Sequence, residues 1–380
     1  MFTYSSATLL ITPILPNLEQ AFDVGPSASG AALSYYALAF ALALLPFGPL
    51  ADRFDKRRLL MIGLALFAFA NLGCFLAPTF NWFLTFRTVT GIASAMLPPS
   101  LWGYVAEYFP FEKRGRAVGI IMSSFSLVPI LGVPLGAYLA QLFGWPAIPL
   151  LLSACGILSV VFLAIFLPQV ESKTVYVKGA LFKGISSVVK TPHSLVALCT
   201  TLFAGAAHWG LLAFLPGFLT KVYGFSTMSN GLFLSLYGIA GIAANQVGGR
   251  LADQVGKKRL LVRAFLFYIL PLMLIPIWSP HPWVTLGLMI LWNMALSVAL
   301  PAQITIITEI VPAARSTMMS MNTAIFNLGI TMGTMLGGKV MLASGSFQSL
   351  AILCTVLALV NVMLCNQLPD DVPQTATKSA

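Results

Sequence analysis

Apolar residues run through the 380-residue chain in blocks of about 20, set apart by short polar or basic stretches and without strict alternation. A helix needs a run of about that length to cross roughly 30 Å of hydrocarbon, whereas strands of a membrane barrel alternate over about ten residues. The pattern predicts an all-α integral membrane protein with twelve spans. They fall at roughly 2–18, 28–51, 59–77, 80–103, 115–140 and 145–167, then 194–218, 228–250, 260–278, 281–303, 315–341 and 347–368. The first span opens at Met1 with no loop before it, which leaves open a late start or a first helix that lacks some residues.

A short stretch recurs between blocks. Gly48-Pro49-Leu50-Ala51-Asp52-Arg53, followed by Lys56, Arg57 and Arg58, is matched 201 positions later by Gly249-Arg250-Leu251-Ala252-Asp253, followed by Lys257, Lys258 and Arg259. The same shift carries Arg114 onto Arg315, Gly132 onto Gly333 and Gly136 onto Gly337. A constant offset over so many points indicates two tandem copies of one unit. The expected organisation is a six-helix bundle over 1–168, a linker over 169–192, a second six-helix bundle over 193–369 and a polar tail over 370–380.

Composition sharpens this picture. Hydrophobic residues make up 58% and charged residues 8% of the chain, and the mean hydropathy is +0.89. Soluble domains carry about 25% charged residues. The net charge of +10 does not indicate nucleic acid, because 18 of the 21 Lys and Arg fall in alternate loops or the tail, facing lipid headgroups. That positive-inside asymmetry predicts a cytoplasmic membrane protein with both termini in the cytoplasm. The five cysteines lie in apolar segments without ligand spacing, and the three histidines share none either. No metal site, cofactor or enzyme constellation is expected; the chain has neither a P-loop nor His-Glu-x-x-His.

Two parallel six-span copies with a basic loop after the second span resemble the major facilitator superfamily. Gly48, Leu50, Ala51, Asp52, Arg53 and Lys56 to Arg58 look like its loop motif, with Asp55 where a second Gly is usual. Leu84-x-x-Arg87-x-x-x-Gly91 resembles the fourth-span motif of small-molecule exporters, with Thr90 replacing a usual Gln. Gly132-Val133-Pro134-Leu135-Gly136 resembles the fifth-span antiporter motif in the form seen in sugar and arabinose-type exporters. Ser34 to Leu38 and Phe326 to Gly329 are similar to that subgroup.

The resemblance implies a cytoplasmic latch in which Asp52 meets the start of the eleventh span near Arg114, with Arg53, Arg58, Gly249, Asp253 and Arg259 in the paired loops. It also implies that Gly132, Pro134 and Gly136 bend the fifth span and seal the halves against leak. A topogenic loop and a plain packing kink are the alternatives.

Within the spans, Arg87 is a costly buried guanidinium that needs a wet cavity or a partner, unless it snorkels outward. His208 titrates near neutrality or is a hydrogen-bonded core residue. Asn245, Asn293, Gln303 and Asn327 line a cavity or bridge helices. Tyr35, Phe40, Trp209, Phe214 and Trp292 are expected to supply an aromatic cavity wall. No carboxylate falls at mid-span; Glu19 ends the first span, and it or His208 is left as the candidate coupling group.

The expected function is a monomeric secondary transporter that exports a small organic solute, drug, sugar or nucleoside-like, by alternating access in exchange for protons. Uptake by symport or facilitation uses the same scaffold, and a non-transporting membrane sensor is the remote alternative.

Overall fold

The computed structural model describes residues 2–109, 121, 124, 127–168, 180–311 and 315–369, and among them every regular element is helical. Among the described residues nine spans are long and apolar enough to cross a membrane: Pro26–Phe47, Lys56–Phe75, Ala147–Phe166, Ser194–Tyr223, Thr227–Ala252, Lys257–Ile277, Pro282–Ile310, Thr317–Ser344 and Phe347–Asn366. The remaining three, the first, fourth and fifth, are interrupted or lie partly outside the described residues.

Proline sets the interruptions. The first span consists of Phe2–Leu9, a tight 3-10 turn at Thr12–Ile14 and Leu15–Phe22, with Pro13 and Pro16 at the joints. The fourth breaks at Met96 between Phe80–Ala95 and Leu97–Tyr108, just before Pro98 and Pro99. The seventh breaks between Ser194–Leu212 and Leu215–Tyr223, just before Pro216. Each proline removes a backbone donor and crowds the preceding turn. In the fifth span the irregularity sits one turn before Pro134, as a π-helical turn over Val128–Gly132 in which the Val133 N–H donates to the Val128 carbonyl. The widened turn makes room for the proline ring at the head of Val133–Phe143.

The sequence repeat is also a packing repeat. A β-carbon on Gly136 would lie 3.2 Å from Leu10 in the first span and 3.0 Å from Ile148 in the sixth. On Gly337 it would lie 2.9 Å from Phe214 in the seventh span and 3.0 Å from Leu350 in the twelfth. The same wedge of small residue against two neighbours is built once in each half, as expected where lipid supplies no hydrophobic drive and helices associate by close packing. The linker contains a short helix, Ala180–Lys190, with Val188 buried.

The halves meet on the side away from the basic loops. Ser34 of the second span and Thr334 of the eleventh share a 2.5 Å hydroxyl hydrogen bond, and the Thr331 hydroxyl donates to the Ser34 carbonyl at 3.3 Å. Thr227, opening the eighth span, donates to Asn17 Oδ1 at 2.9 Å. Pro129 packs so closely on Gly238 that a β-carbon there would lie 2.4 Å away. On the basic-side part of the second and eighth spans Leu38, Leu42 and Val247 are exposed, as are Asn245 and Gln246. Hydrocarbon does not solvate such amides, so this stretch of the eighth span faces water.

Candidate functional site

Two tyrosines organise the interior. Tyr36 and Tyr237 are copies of each other under the 201-residue shift, on the second and eighth spans, and both are buried. Arg87, from the fourth span, is fully buried with its guanidinium carbon 4.6 Å from the Tyr36 ring centroid. Its Nε donates to the Ala32 carbonyl at 3.1 Å, while both terminal nitrogens are without a hydrogen-bond partner among the described residues. An uncompensated buried charge of this kind costs several kcal/mol. Gly91, one turn on, lets the second span approach: a β-carbon there would lie 2.4 Å from the Tyr36 carbonyl oxygen.

In the other half the basic group comes from a different helix. His208 of the seventh span shares a 2.6 Å hydrogen bond between its Nε2 and the Tyr237 hydroxyl. Its ring stacks on Trp292 with centroids 4.5 Å apart, and Tyr268 lies 6.3 Å away. His208 Nδ1 is buried without a hydrogen-bond partner among the described residues. Trp209 is buried 6.5 Å from His208. Asn293 Nδ2 donates to the Tyr237 carbonyl at 2.7 Å, tying the tenth span to the eighth.

Other predicted polar groups act as bridges. Gln303 Nε2 reaches the Thr200 and Thr201 hydroxyls at 3.2 and 3.1 Å, and Thr201 continues to Asn322 Oδ1 at 2.6 Å, linking the tenth, seventh and eleventh spans. Asn327 donates within its own helix, to the Thr323 carbonyl at 3.0 Å. Half-buried Glu19 accepts a 2.7 Å bond from Ser29, clamping the first span to the second at the side away from the basic loops. Tyr35 is exposed, whereas its neighbour Tyr36 makes the interior contacts; Phe40 stacks on Tyr36, and Phe214 packs against Gly30 across the seal.

Of the loop motifs, Arg114 lies outside the described residues, and of Gly48, Asp52, Arg53 and Asp253 only the helical backbone is described. Asp55, the departure from the motif, caps the third span: its Oδ1 accepts from the backbone N–H groups of Arg57 at 2.9 Å and Arg58 at 3.4 Å. The equivalent residue, Gly256, adopts a left-handed φ of 91° instead. Arg58 is exposed, 3.5 Å from Asp55, and Arg259 is exposed. Gly249 faces open space, Gly132 is buried in the π turn, and Gly136 faces its own half; the residues that cross to the other half are Pro129 and Ala137, the latter against Gly231.

Sequence reasoning passed over a second pair of copies. Lys56, 3% exposed, pairs with Glu107 at 2.6 Å, and Lys257 pairs with Glu309 at 2.6 Å, each tying a basic loop to the end of the fourth or tenth span. The signal was available: the lysines are 201 residues apart and the glutamates 202. No three His, Cys, Asp or Glu side chains converge as a metal site among the described residues.

The model of the Major Facilitator Superfamily matches residues 1–276 and 231–380. The chain belongs to the Major Facilitator Superfamily. It is a multi-pass membrane transporter of small-molecule solutes. This facilitator is 24% identical over 364 residues to the uncharacterised MFS-type transporter YceJ of Bacillus subtilis, covering 96% of this chain and 93% of the relative. It is 27% identical over 350 residues to a probable sugar efflux transporter of Pasteurella multocida, covering 90% and 83%. In fold it superimposes on a bacterial homolog of the human lysosomal transporter Spinster, inward-facing and occupied, with a TM-score of 0.82, 17% identity and coverage of 96% and 93%. A D-xylose–proton symporter gives 0.76 at 16% identity, with coverage of 97% and 95%.

Proposed function

We propose that this facilitator exports a small organic solute, drug, sugar or nucleoside-like, across the bacterial inner membrane by alternating access in exchange for protons. Its halves, 1–168 and 193–369, rock about a central path, with the linker 169–192 and both termini in the cytoplasm. One observation carries the alternating-access part of the reading. Ser34–Thr334 and Asn17–Thr227 join the halves on one side, away from the basic loops. Uncharged hydroxyl and amide contacts suit a gate, because each breaks at a net cost of only about 1 kcal/mol.

The outward direction draws on the similarity to a probable sugar efflux transporter and on the fifth-span Gly-x-Pro-x-Gly. The lack of a mid-span carboxylate in the sequence favours a second reading, facilitated diffusion without an ion. Everted vesicles test both. With an acid interior they should accumulate labelled arabinose or a lipophilic dye, and an uncoupler should abolish this. Equilibration that ignores the proton gradient would establish the second reading; accumulation only in right-side-out vesicles would overturn export.

A further inference from the structure

On the lipid-facing side of the first half a crevice of about 590 Å³ opens between the third, fourth and sixth spans. Its walls include Leu64, Leu97, Leu101 and Phe162, and at its basic end lies Tyr104, whose hydroxyl donates to the Pro168 carbonyl at 3.0 Å. Arg57 precedes Leu60, another wall residue, by three positions on the same helix and therefore sits at the mouth of the crevice. Its Nη2 donates to the Ala164 carbonyl at 2.7 Å, in the last turn of the sixth span, where the helix dipole favours a cation. Its Nε is buried without a hydrogen-bond partner, and no ion pair to Arg57 is formed among the described residues. Exposed Arg58 lies beside it.

An apolar slot with a guanidinium at its basic-side mouth, and no carboxylate paired to that group among the described residues, matches one kind of molecule. We propose that this crevice is a specific site for an anionic phospholipid of the basic-side leaflet, with an acyl chain between Leu64, Leu101 and Phe162 and the phosphate on Arg57. A guanidinium attracts a phosphate by its charge, and cationic pockets between spans on this side recognise acidic headgroups. Because Arg57 also holds the end of the sixth span, the lipid bridges the loop motif to the sixth span and stiffens the first half. The proposal does not depend on solute or direction of transport.

Native mass spectrometry of the full chain from nanodiscs of equal dioleoylphosphatidylglycerol and dioleoylphosphatidylcholine tests it, with melting followed by tryptophan fluorescence. The wild type should retain one phosphatidylglycerol in preference to phosphatidylcholine, with a higher melting temperature as the glycerol lipid increases. Arg57→Gln should lose that preference by about tenfold, as expected for one charge-assisted contact, while still holding phosphatidylcholine. Leu101→Trp, which fills the slot, should lose both lipids. Equal retention of the two lipids by the wild type, or an undiminished preference in Arg57→Gln, overturns the proposal. So does free glycerol 1-phosphate raising the melting temperature as much as phosphatidylglycerol, which would make the slot irrelevant.

Discussion

Tyr36 and Tyr237 stand 201 residues apart at the same place in two copies of one bundle, and each meets a buried basic side chain drawn from a different helix. In the first half Gly91 leaves the second span close and the fourth span sends Arg87 over the ring. In the second half Trp292 holds the position equivalent to Gly91 and stacks on His208. Duplication kept the tyrosine; divergence chose its partner.

Removing the Tyr237 hydroxyl strands His208 Nε2 in the interior. Tyr237→Phe should lower stability by about 1–3 kcal/mol, and His208→Leu combined with Tyr237→Phe should recover part of the loss, since no polar atom is then left alone. A thermal double-mutant cycle in detergent measures the coupling; strictly additive losses would mean that the 2.6 Å bond contributes nothing.

Arg87 separates stability from function. Its two terminal nitrogens are unpartnered, so Arg87→Met should leave the melting temperature unchanged or raise it, by up to about 4 kcal/mol in stability. Transport should fall by about tenfold or more, as expected for an ionisable group kept inside a membrane at a cost. A Met variant that transports at the wild-type rate would assign Arg87 to packing alone.

The seal between the halves can be locked. Cysteines introduced at Ser34 and Thr334, whose hydroxyls are 2.5 Å apart, should form a disulfide under mild oxidant in a background where the five native cysteines are serine. Flux should stop on oxidation and return with reductant. Undiminished flux in the cross-linked protein would remove this contact from the gate.

The two loop-to-helix ion pairs should differ in strength although they are copies. Lys56–Glu107 is 3% and 11% exposed, so Glu107→Gln takes the carboxylate away from a buried ammonium and should cost about 3–5 kcal/mol. Lys257–Glu309 is about a third exposed, and Glu309→Gln should cost about 1 kcal/mol or less. Melting temperatures of the two variants at low and high salt check the order, and only the second should be sensitive to salt.

The residue string by itself carried the helical spans, the tandem duplication and the superfamily. Each rests on one-dimensional quantities: run length against bilayer thickness, a constant offset, and the residue types in short loops. The sequence marks only the fifth span's Pro134 as a break, and the irregularity there settled a turn earlier, where the widened turn absorbs the ring. Adjacent residues on a helix point about 100° apart, and packing turned Tyr36 inward and left Tyr35 exposed, a division the string does not show. It left His208, Asn293 and Gln303 open between wall and bridge; only tertiary contact paired them with Tyr237 and with Thr200 and Thr201. Which side of the molecule is closed was likewise absent from the string. A bond between Ser34 and Thr334 joins atoms 300 positions apart, and such contacts depend on how two bundles lean together, a rigid-body choice that local sequence does not encode.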